Sequence, residues 1–335
     1  MWLPAGCAVL AAAVLLGVSA GAADLSAAGI VRHLLSLVAD GVESPLTERQ
    51  AALLVELRLP RVVAAALVGA LLATAGAAYQ GVFRNPLADP YLLGAASGAG
   101  LGATLVMVFG QDLAASPRAL LPVAAFAGAL LGVAAAYALG SVAGGGGTAG
   151  LLLAGVAVSS FLSAAQTLVQ QIGVDQLQRI FSWLLGGLGR GGWDDVRLVA
   201  PYAAVSLAVL LTCGYLLDLL ALGDDKAVSL GLRPGAVRLV VIAAASLATA
   251  AAVAVSGLIG FVGIVVPHVV RRLVGADYRA ILPGGVLFGA AFLIVVDIVA
   301  RTVVAPAELP IGVVTAFLGA PFFVVVLRAT RHRHT

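Results

Sequence analysis

The chain has 335 residues, of which 61% are hydrophobic and 10% charged, and its formal net charge is +3. A soluble domain carries about 25% charged residues, so this composition excludes a soluble protein and predicts an all-α protein that crosses the bilayer many times. The small net charge, without a clustered basic face, excludes a nucleic-acid-binding protein.

The first hydrophobic segment, Leu3–Ala23, allows two interpretations. Its end, Ser19–Ala23, resembles a signal-peptide cleavage site. However, no basic residue precedes it, and the uncharged stretch exceeds the about 7–15 residues of a signal-peptide core, so we favour an uncleaved first helix. Farther along, Thr47–Gln50 has the capping-box pattern ahead of an apolar run, which predicts an amphipathic helix on the outer surface.

Uncharged runs predict ten hydrophobic helices in one transmembrane domain, most of them near the about 20 residues that a crossing needs. The long run from 119 to 174 divides at Gly144–Gly147, and the run from 239 to 270 divides at Ser256–Gly257 and Pro267, which leaves one short helix. The predicted segments are Leu3–Ala23, Val62–Phe83, Tyr91–Gly110, Ala119–Leu139, Gly150–Ile172, Leu198–Leu217, Leu239–Val255, Pro267–Gly275, Ala280–Val296 and Leu309–Leu327.

The polar stretch Arg84–Gly94 interrupts this pattern, and an offset of 181 residues aligns it with a second stretch. The offset places Gly76 on Gly257, Pro86 on Pro267 and Gly94 on Gly275. This spacing predicts a duplication with halves at about 1–197 and 198–335. Five crossings in each half require the second half to be inverted, which is typical of transporters.

A broken helix in hydrocarbon is tolerated only where protein or a water-filled cavity covers its backbone groups. We therefore expect Asn85–Pro90 at the inner mouth of a pathway and Gly260–His268 near the outer side. A proline-terminated helix end is the simpler explanation of either break taken alone. With both termini in the cytoplasm, ten basic residues lie inside and nine outside, and the basic C-terminal tail favours this orientation.

Asp297 is the one acid well inside a predicted crossing, and Arg301 lies four residues later on the same helix face. Acids in the bilayer are costly and are either paired or functional. We favour structural pairing near the outer surface over a proton relay. The sequence has no P-loop, so this chain does not itself hydrolyse ATP by P-loop chemistry, and no Cys or His pattern predicts a bound metal or cofactor.

The longest polar inner loop, Gly223–Pro234, reads either as a solvated loop or as a docking helix for a cytoplasmic partner. It belongs to a set of seven ordered motifs between about Leu57 and Leu327. The motifs are LRLPR, RNPLADPYLLG, WLLGGLG, GDDKAVSLGL, GFVGIVVPHVVRRLVGADYR, DIVAR and ELPIGVVTAFLGAPFF. Together they resemble the FecCD family of permease subunits of type II ABC importers, which includes vitamin B12, haem and iron–siderophore permeases.

The resemblance implies a non-enzymatic permease in the cytoplasmic membrane, which is the inner membrane in cells that also have an outer membrane. It implies ten helices per subunit and a homodimer with two cytoplasmic ATPases, which carry the ATP and Mg. A substrate-binding protein docks outside and delivers an iron chelate (siderophore or haem) or cobalamin. An ion- or proton-coupled secondary transporter that uses Asp297 is the alternative.

The resemblance also implies roles for particular residues. Arginines that meet acidic residues of the binding protein map to Arg58, Arg61 and Arg301. The ATPase coupling loop maps to Asp224, Asp225, Lys226, Ala227, Ser229, Leu230 and Gly231. The pathway is expected between the two subunits, lined by helices that match Gly150–Ile172 and Ile311–Leu327, with its inner gate near Asn85, Leu87 and the Ser141–Thr148 loop. The residues assigned to the pathway and gate are Asn85, Pro86, Leu87, Ser141, Thr148, Ser159, Ser163 and Gln166.

Overall fold

The computed structural model describes residues 2–21, 26–36, 43–110, 117–143, 148–188 and 191–331, and within these ranges it is helical, without a strand. A π-helical turn spans Leu53–Arg58, and a short 3₁₀ turn spans Val174–Gln176. The helices are α1 (Trp2–Ser19), α2 (Ala27–Ser36), α3 (Glu48–Ala52), α4 (Leu59–Phe83), α5 (Ala95–Phe109), α6 (Pro117–Ala143), α7 (Thr148–Ile172), α8 (Leu177–Leu184), α9 (Trp193–Thr212), α10 (Gly214–Ala221), α11 (Asp224–Ser229), α12 (Pro234–Ser256), α13 (Val262–Val274), α14 (Tyr278–Thr302) and α15 (Ile311–Arg331).

Each predicted hydrophobic segment overlaps a helix over its described residues, although the third starts before α5 and the eighth covers only part of α13. The sixth is divided into α9 and α10 by a turn at Cys213. In the described part of the chain, seven helices are long and apolar enough to cross a bilayer, with Glu48–Phe83 counted as one. The apolar helices Ala95–Phe109 and Ile311–Val324 are shorter, and α13 has 13 residues. The multi-pass all-helical fold is thus confirmed, while ten crossings in two inverted halves stay a prediction.

Further sequence-based predictions concern a turn and the basic tail, the capping box, and the boundary between the two halves. The turn predicted at Gly144–Gly147 and the final residues of the basic tail lie outside the described residues. The capping box is present, because the Thr47 side chain accepts from the Gln50 backbone and the Gln50 side chain accepts from the Thr47 N–H. The approximate boundary between the two halves, 197/198, falls inside α9.

Helix α4 forms the centre of the bundle and is buried on nearly all sides. Close helix approach depends on small residues. An ideal Cβ on Gly69 would lie 2.2 Å from the Gly289 carbonyl oxygen of α14, and one on Gly98 of α5 would lie 2.1 Å from the Gly128 carbonyl oxygen of α6. Without a hydrophobic driving force between helices in lipid, this backbone proximity supplies the packing.

The first break lies where the sequence predicts it, between α4 and α5. Asn85 accepts a hydrogen bond from the Leu87 backbone (3.0 Å), and Asp89 accepts one from the Tyr91 backbone (2.8 Å). Side-chain turns of this kind replace the helical hydrogen bonds. The segment between the two helices is called break 1 (residues 84–94) below.

The second break lies at Gly257–Phe261, called break 2, and not at Pro267, which is inside α13. Gly257 has φ 65° and ψ −158°, a conformation that strongly favours glycine. Pro267 lacks the N–H that would bond the Gly263 carbonyl. That carbonyl accepts instead from Gln80 Nε2 at 3.0 Å, so the helix continues. The 181-residue offset therefore pairs a proline in a break with a proline in a helix.

The two breaks are in contact. The Tyr91 hydroxyl donates to the Ile259 carbonyl (3.1 Å) and accepts from the Ile259 N–H (3.2 Å). An ideal Cβ on Gly263 would lie 2.5 Å from Pro90 Cδ, so the start of α13 also packs against Pro90 of break 1. The expectation that the two breaks lie apart, at opposite mouths of a pathway, is therefore wrong.

Candidate functional site

The three arginines expected to dock a binding protein lie together where α4 begins and α14 ends. Arg61 donates to Asp297 through Nε (3.0 Å) and Nη2 (2.9 Å), and to Glu308 through Nη1 (2.9 Å) and Nη2 (3.0 Å). Arg301 Nε lies 3.4 Å from the same Asp297, whose side chain is only 1% exposed. Asp297 is thus shared by two arginines, which supports the pairing interpretation over a proton relay.

Arg58 and Arg301 also hold the end of α1. Arg58 Nη1 donates to the Val18 and Ser19 carbonyls, both at 2.9 Å. Arg301 donates to the Gly17 and Ala20 carbonyls. The last carbonyls of a helix lack intrahelical partners and carry partial negative charge, so the two guanidinium groups cap α1 and build it into the bundle.

The cluster of Arg58, Arg61, Arg301, Asp297 and Glu308, called the arginine cluster below, borders a cavity of about 750 Å³. Glu308 is the most exposed member of the arginine cluster, with 53% of its side chain exposed. Hydrogen bonding to Arg61 holds the pKa of Glu308 below its usual range. The Arg61 guanidinium group therefore lines the cavity while it is hydrogen-bonded to Glu308.

At the other end of α4, the predicted coupling loop is the helix α11. Asp224, its first residue, pairs with Arg84 of break 1 and with Arg238 Nη2 of α12 (2.7 Å). The bond from Arg238 is the main cause that keeps the pKa of Asp224 below its usual range. Ala227 is fully buried and anchors the helix. The remaining predicted residues, which form an open face, are Asp225, Lys226, Ser229, Leu230 and Gly231.

The predicted inner gate lies beside this helix. Pro86 and Leu87 are exposed and Asn85 is half-buried. Ser141, near the end of α6, lines a cavity of about 350 Å³ together with Asp224 and Arg238. Thr148 begins α7, and residues 144–147 between these helices lie outside the described ranges. Ser141 and the first residue of α11 thus line the same cavity.

The predicted pathway residues on α7 do not share one environment. Ser163 is exposed and Ser159 half-buried. Gln166 is only 9% exposed, and an ideal Cβ on Gly100 of α5 would lie 2.6 Å from its Oε1. Gln166 therefore packs into the bundle in the single chain, and its assignment to the pathway stays a prediction. Because Gly100 of α5 has no side chain, the Gln166 amide can pack against that helix.

The open face of α7 is mainly apolar. Phe161 is 74% exposed and Leu153 is 72% exposed. The hydroxyls of Ser160 and Thr167 donate to carbonyls of their own helix at 2.9 Å, which leaves little free hydrogen-bonding capacity. Such a face needs lipid or another apolar protein surface against it.

Two other motifs, WLLGGLG and ELPIGVVTAFLGAPFF, pack beside break 2 and are joined by backbone hydrogen bonds. Gly187 N donates to the Ser256 carbonyl (2.8 Å), and at the start of α15 Ile311 N donates to Gly186 O (3.1 Å) and Gly312 N to Leu185 O (3.0 Å). With the bonds of Ile259 to the Tyr91 hydroxyl, these contacts satisfy part of the backbone around the break within the protein, as hydrocarbon requires. An apolar cavity of about 600 Å³ adjoins it, lined by Leu184, Leu258, Phe261, Val313 and Phe317, among others.

Residues 9–329 match the model of the FecCD transport family. The chain belongs to the FecCD transport family. It is 42% identical over 272 residues to the cobalamin import system permease protein BtuC of Halobacterium salinarum, covering 81% of this chain and 72% of that protein. It is 41% identical over 285 residues to the hemin transport system permease protein HmuU of Yersinia pestis, covering 83% and 84%.

The permease also resembles a solved ABC transporter of the metal-chelate type in an inward-facing conformation. The TM-score is 0.84 at 31% identity, and the match covers 98% of each chain. The chain is therefore a permease of the ABC-importer kind, a class that works with ATPase and substrate-binding partners. Among the residues that the structure describes, no group of three or more His, Cys, Asp or Glu is placed to hold a metal ion.

Proposed function

We propose that this permease is the membrane subunit of a type II ABC importer that moves a large metal chelate (a ferric siderophore, haem or cobalamin) from an external binding protein into the cytoplasm. The match to a metal-chelate type ABC transporter over 98% of both chains carries the proposal. The hemin and cobalamin permeases at 41% and 42% identity support the substrate class. A titration of the partner binding protein with haem, cobalamin and ferric siderophores identifies the substrate.

A second copy of the permease covers the open faces of α7 and α15. Phe161 and Phe317 are 74% and 77% exposed in the single chain, and the apolar cavity of about 600 Å³ borders α15. A closed two-fold pair buries such self-complementary patches. The pathway then runs between the two copies, with both termini and the two ATPases on the cytoplasmic side of the cell membrane.

The ATPases, which hold ATP and Mg, dock on α11. An exposed apolar residue beside charged ones suits a protein interface, and Leu230 is 59% exposed directly after α11. We expect Leu230→Asp to lose the ATPase during co-purification in detergent while the permease elutes as wild type, because the new charge is desolvated only in the complex. Co-purification at the wild-type ratio would count against α11 as the docking element.

The binding protein docks on the arginine cluster, where opposite charge steers its approach. Because Arg58 and Arg301 cap α1, reversing their charge would also disturb the fold, so Glu308 gives the cleaner test. We expect Glu308→Gln to strengthen docking about threefold, since it removes an internal competitor for Arg61 worth roughly 0.2–1 kcal/mol. Surface plasmon resonance with the permease in nanodiscs measures this.

Glu48→Gln is the matched control, because Glu48 is an exposed acid at the start of α3, the helix predicted to lie on the outer surface. It changes the net charge equally without touching Arg61. An equal gain in both variants would reduce the effect to net charge. Weaker docking of Glu308→Gln would mean that Glu308 supports the interface.

A further inference from the structure

Break 1 begins at a strained residue that points to α11. Arg84 closes α4 with φ 50° and ψ 37°, a left-handed conformation that non-glycine residues rarely adopt. Its guanidinium pairs with Asp224, the first residue of α11. These two residues are 140 positions apart in sequence, so the contact joins separate parts of the fold.

The far end of break 1 is fixed to break 2. The Tyr91 hydroxyl satisfies both backbone groups of Ile259, at 3.1 and 3.2 Å. Gln80, four residues before Arg84, donates to the Gly263 carbonyl at 3.0 Å. Break 1 therefore bridges α11 at its beginning and break 2 at its end.

Break 2 continues the connection to α15. Gly187 N bonds the Ser256 carbonyl, and Ile311 N bonds Gly186 O. A displacement of break 2 thus acts on the first turn of α15, one of the two helices assigned to the pathway. Physical coupling between distant sites requires a contiguous series of packed and hydrogen-bonded groups, and this series is complete from α11 to α15.

Asp224 has a second partner with a different task. Arg238, which is 9% exposed, lies on α12 only 14 residues away and donates to both Asp224 oxygens at 2.7 and 2.9 Å. This bond fixes α11 to the next helix in sequence. The side chain of Arg84 is 38% exposed, so its pair with Asp224 adds little to folding stability and can serve to transmit movement.

We propose that the Arg84–Asp224 pair is the contact through which movement of an ATPase bound at α11 reaches the two breaks and α15. The inference rests on the proposed function and assigns Arg84 as a positioning residue for transport. Loss of the pair uncouples ATP hydrolysis from transport and leaves assembly intact.

The test uses the complete importer, reconstituted in proteoliposomes with its ATPase and binding protein, and measures substrate imported per ATP hydrolysed. We expect Arg84→Gln to lower this ratio about tenfold with the ATPase still bound. Asp224→Asn lowers it at least as much, because it also weakens the bond to Arg238. The double variant is no worse than Asp224→Asn alone, since the contact with Arg84 is already lost there. The matched control, Arg233→Gln, removes another exposed arginine at the start of α12 and keeps the wild-type ratio.

A second readout separates transmission from a structural role. Leu87 lies in break 1 and is 42% exposed. In a Leu87→Cys background we expect ATP to change the thiol-labelling rate, and Arg84→Gln to remove that change. A wild-type transport ratio in Arg84→Gln, or loss of the ATPase from that variant, would overturn the inference. ATP-driven uptake absent even from the unsubstituted importer would overturn the proposed function, and the inference with it.

Discussion

We expect Gly76→Val to prevent the permease from folding. A Cβ at this position would lie 2.1 Å from the Gly263 carbonyl oxygen and 2.5 Å from Gly263 Cα. Both are backbone atoms, so no side-chain rotation relieves the clash, and α4 must separate from the start of α13. That separation also breaks the bond from Gln80 to the Gly263 carbonyl, which compensates for Pro267. Size-exclusion chromatography in mild detergent should show aggregate in place of the monodisperse species.

Gly285→Ala is the matched control for this substitution. A Cβ on Gly285 of α14 also faces α4, yet its nearest neighbour would be Thr74 Oγ1 at 3.4 Å, an ordinary contact. We expect this variant to elute as wild type. A monodisperse Gly76→Val with wild-type thermal stability would contradict the helix crossing.

We expect Asp297→Ala to lower the free energy of unfolding by about 3–5 kcal/mol. The substitution leaves Arg61 and Arg301 without the carboxylate that they share, and the Arg301 side chain is only 9% exposed. Removal of one partner from a buried ion pair costs more than the pair itself contributes, because a buried charge stays uncompensated. The midpoint of thermal unfolding in detergent, followed by tryptophan fluorescence, measures the loss.

Glu308→Gln is the control, since it removes the other carboxylate bound to Arg61 at an exposed position. Its effect on stability is expected to stay within about 1 kcal/mol. The double variant Asp297→Ala with Arg61→Met removes the charge together with its partner and should recover part of the loss. Equal midpoints for Asp297→Ala and Glu308→Gln would contradict a structural role for Asp297.

Features encoded within a few residues were predictable from the sequence. The hydrophobic runs locate helices near the observed bounds, because burial of apolar side chains in lipid is a local property. Break 1 was predictable because its two prolines, Asn85 and Asp89 cannot continue a helix and do form turns. The capping box at Thr47 was predictable for the same reason.

Features that depend on distant residues were not predictable. Pro267 leaves the Gly263 carbonyl free within α13, and Gln80, which is 183 residues from Gly263 in sequence, bonds that carbonyl. Arg61 lies 236 residues from Asp297, so only the i+4 partner, Arg301, was found. Gln166 faces the bundle because Gly100 makes room on a neighbouring helix, and no pattern within α7 encodes that.

The resemblance to the family assigned Arg58, Arg61 and Arg301 to one surface, and the structure places them in one cluster. What it did not predict is that each guanidinium already binds groups of its own chain. A binding protein that docks on the arginine cluster, as proposed, would compete with these internal partners. We expect the half-exposed Glu308 to be displaced most readily.

The most direct test is substrate uptake into proteoliposomes that contain the permease, its ATPase and the loaded binding protein. We predict that the chelate accumulates only with hydrolysable ATP on the ATPase side and that ionophores, which collapse ion gradients, leave the rate unchanged. Uptake that proceeds without the ATPase and stops with an ionophore would contradict the account.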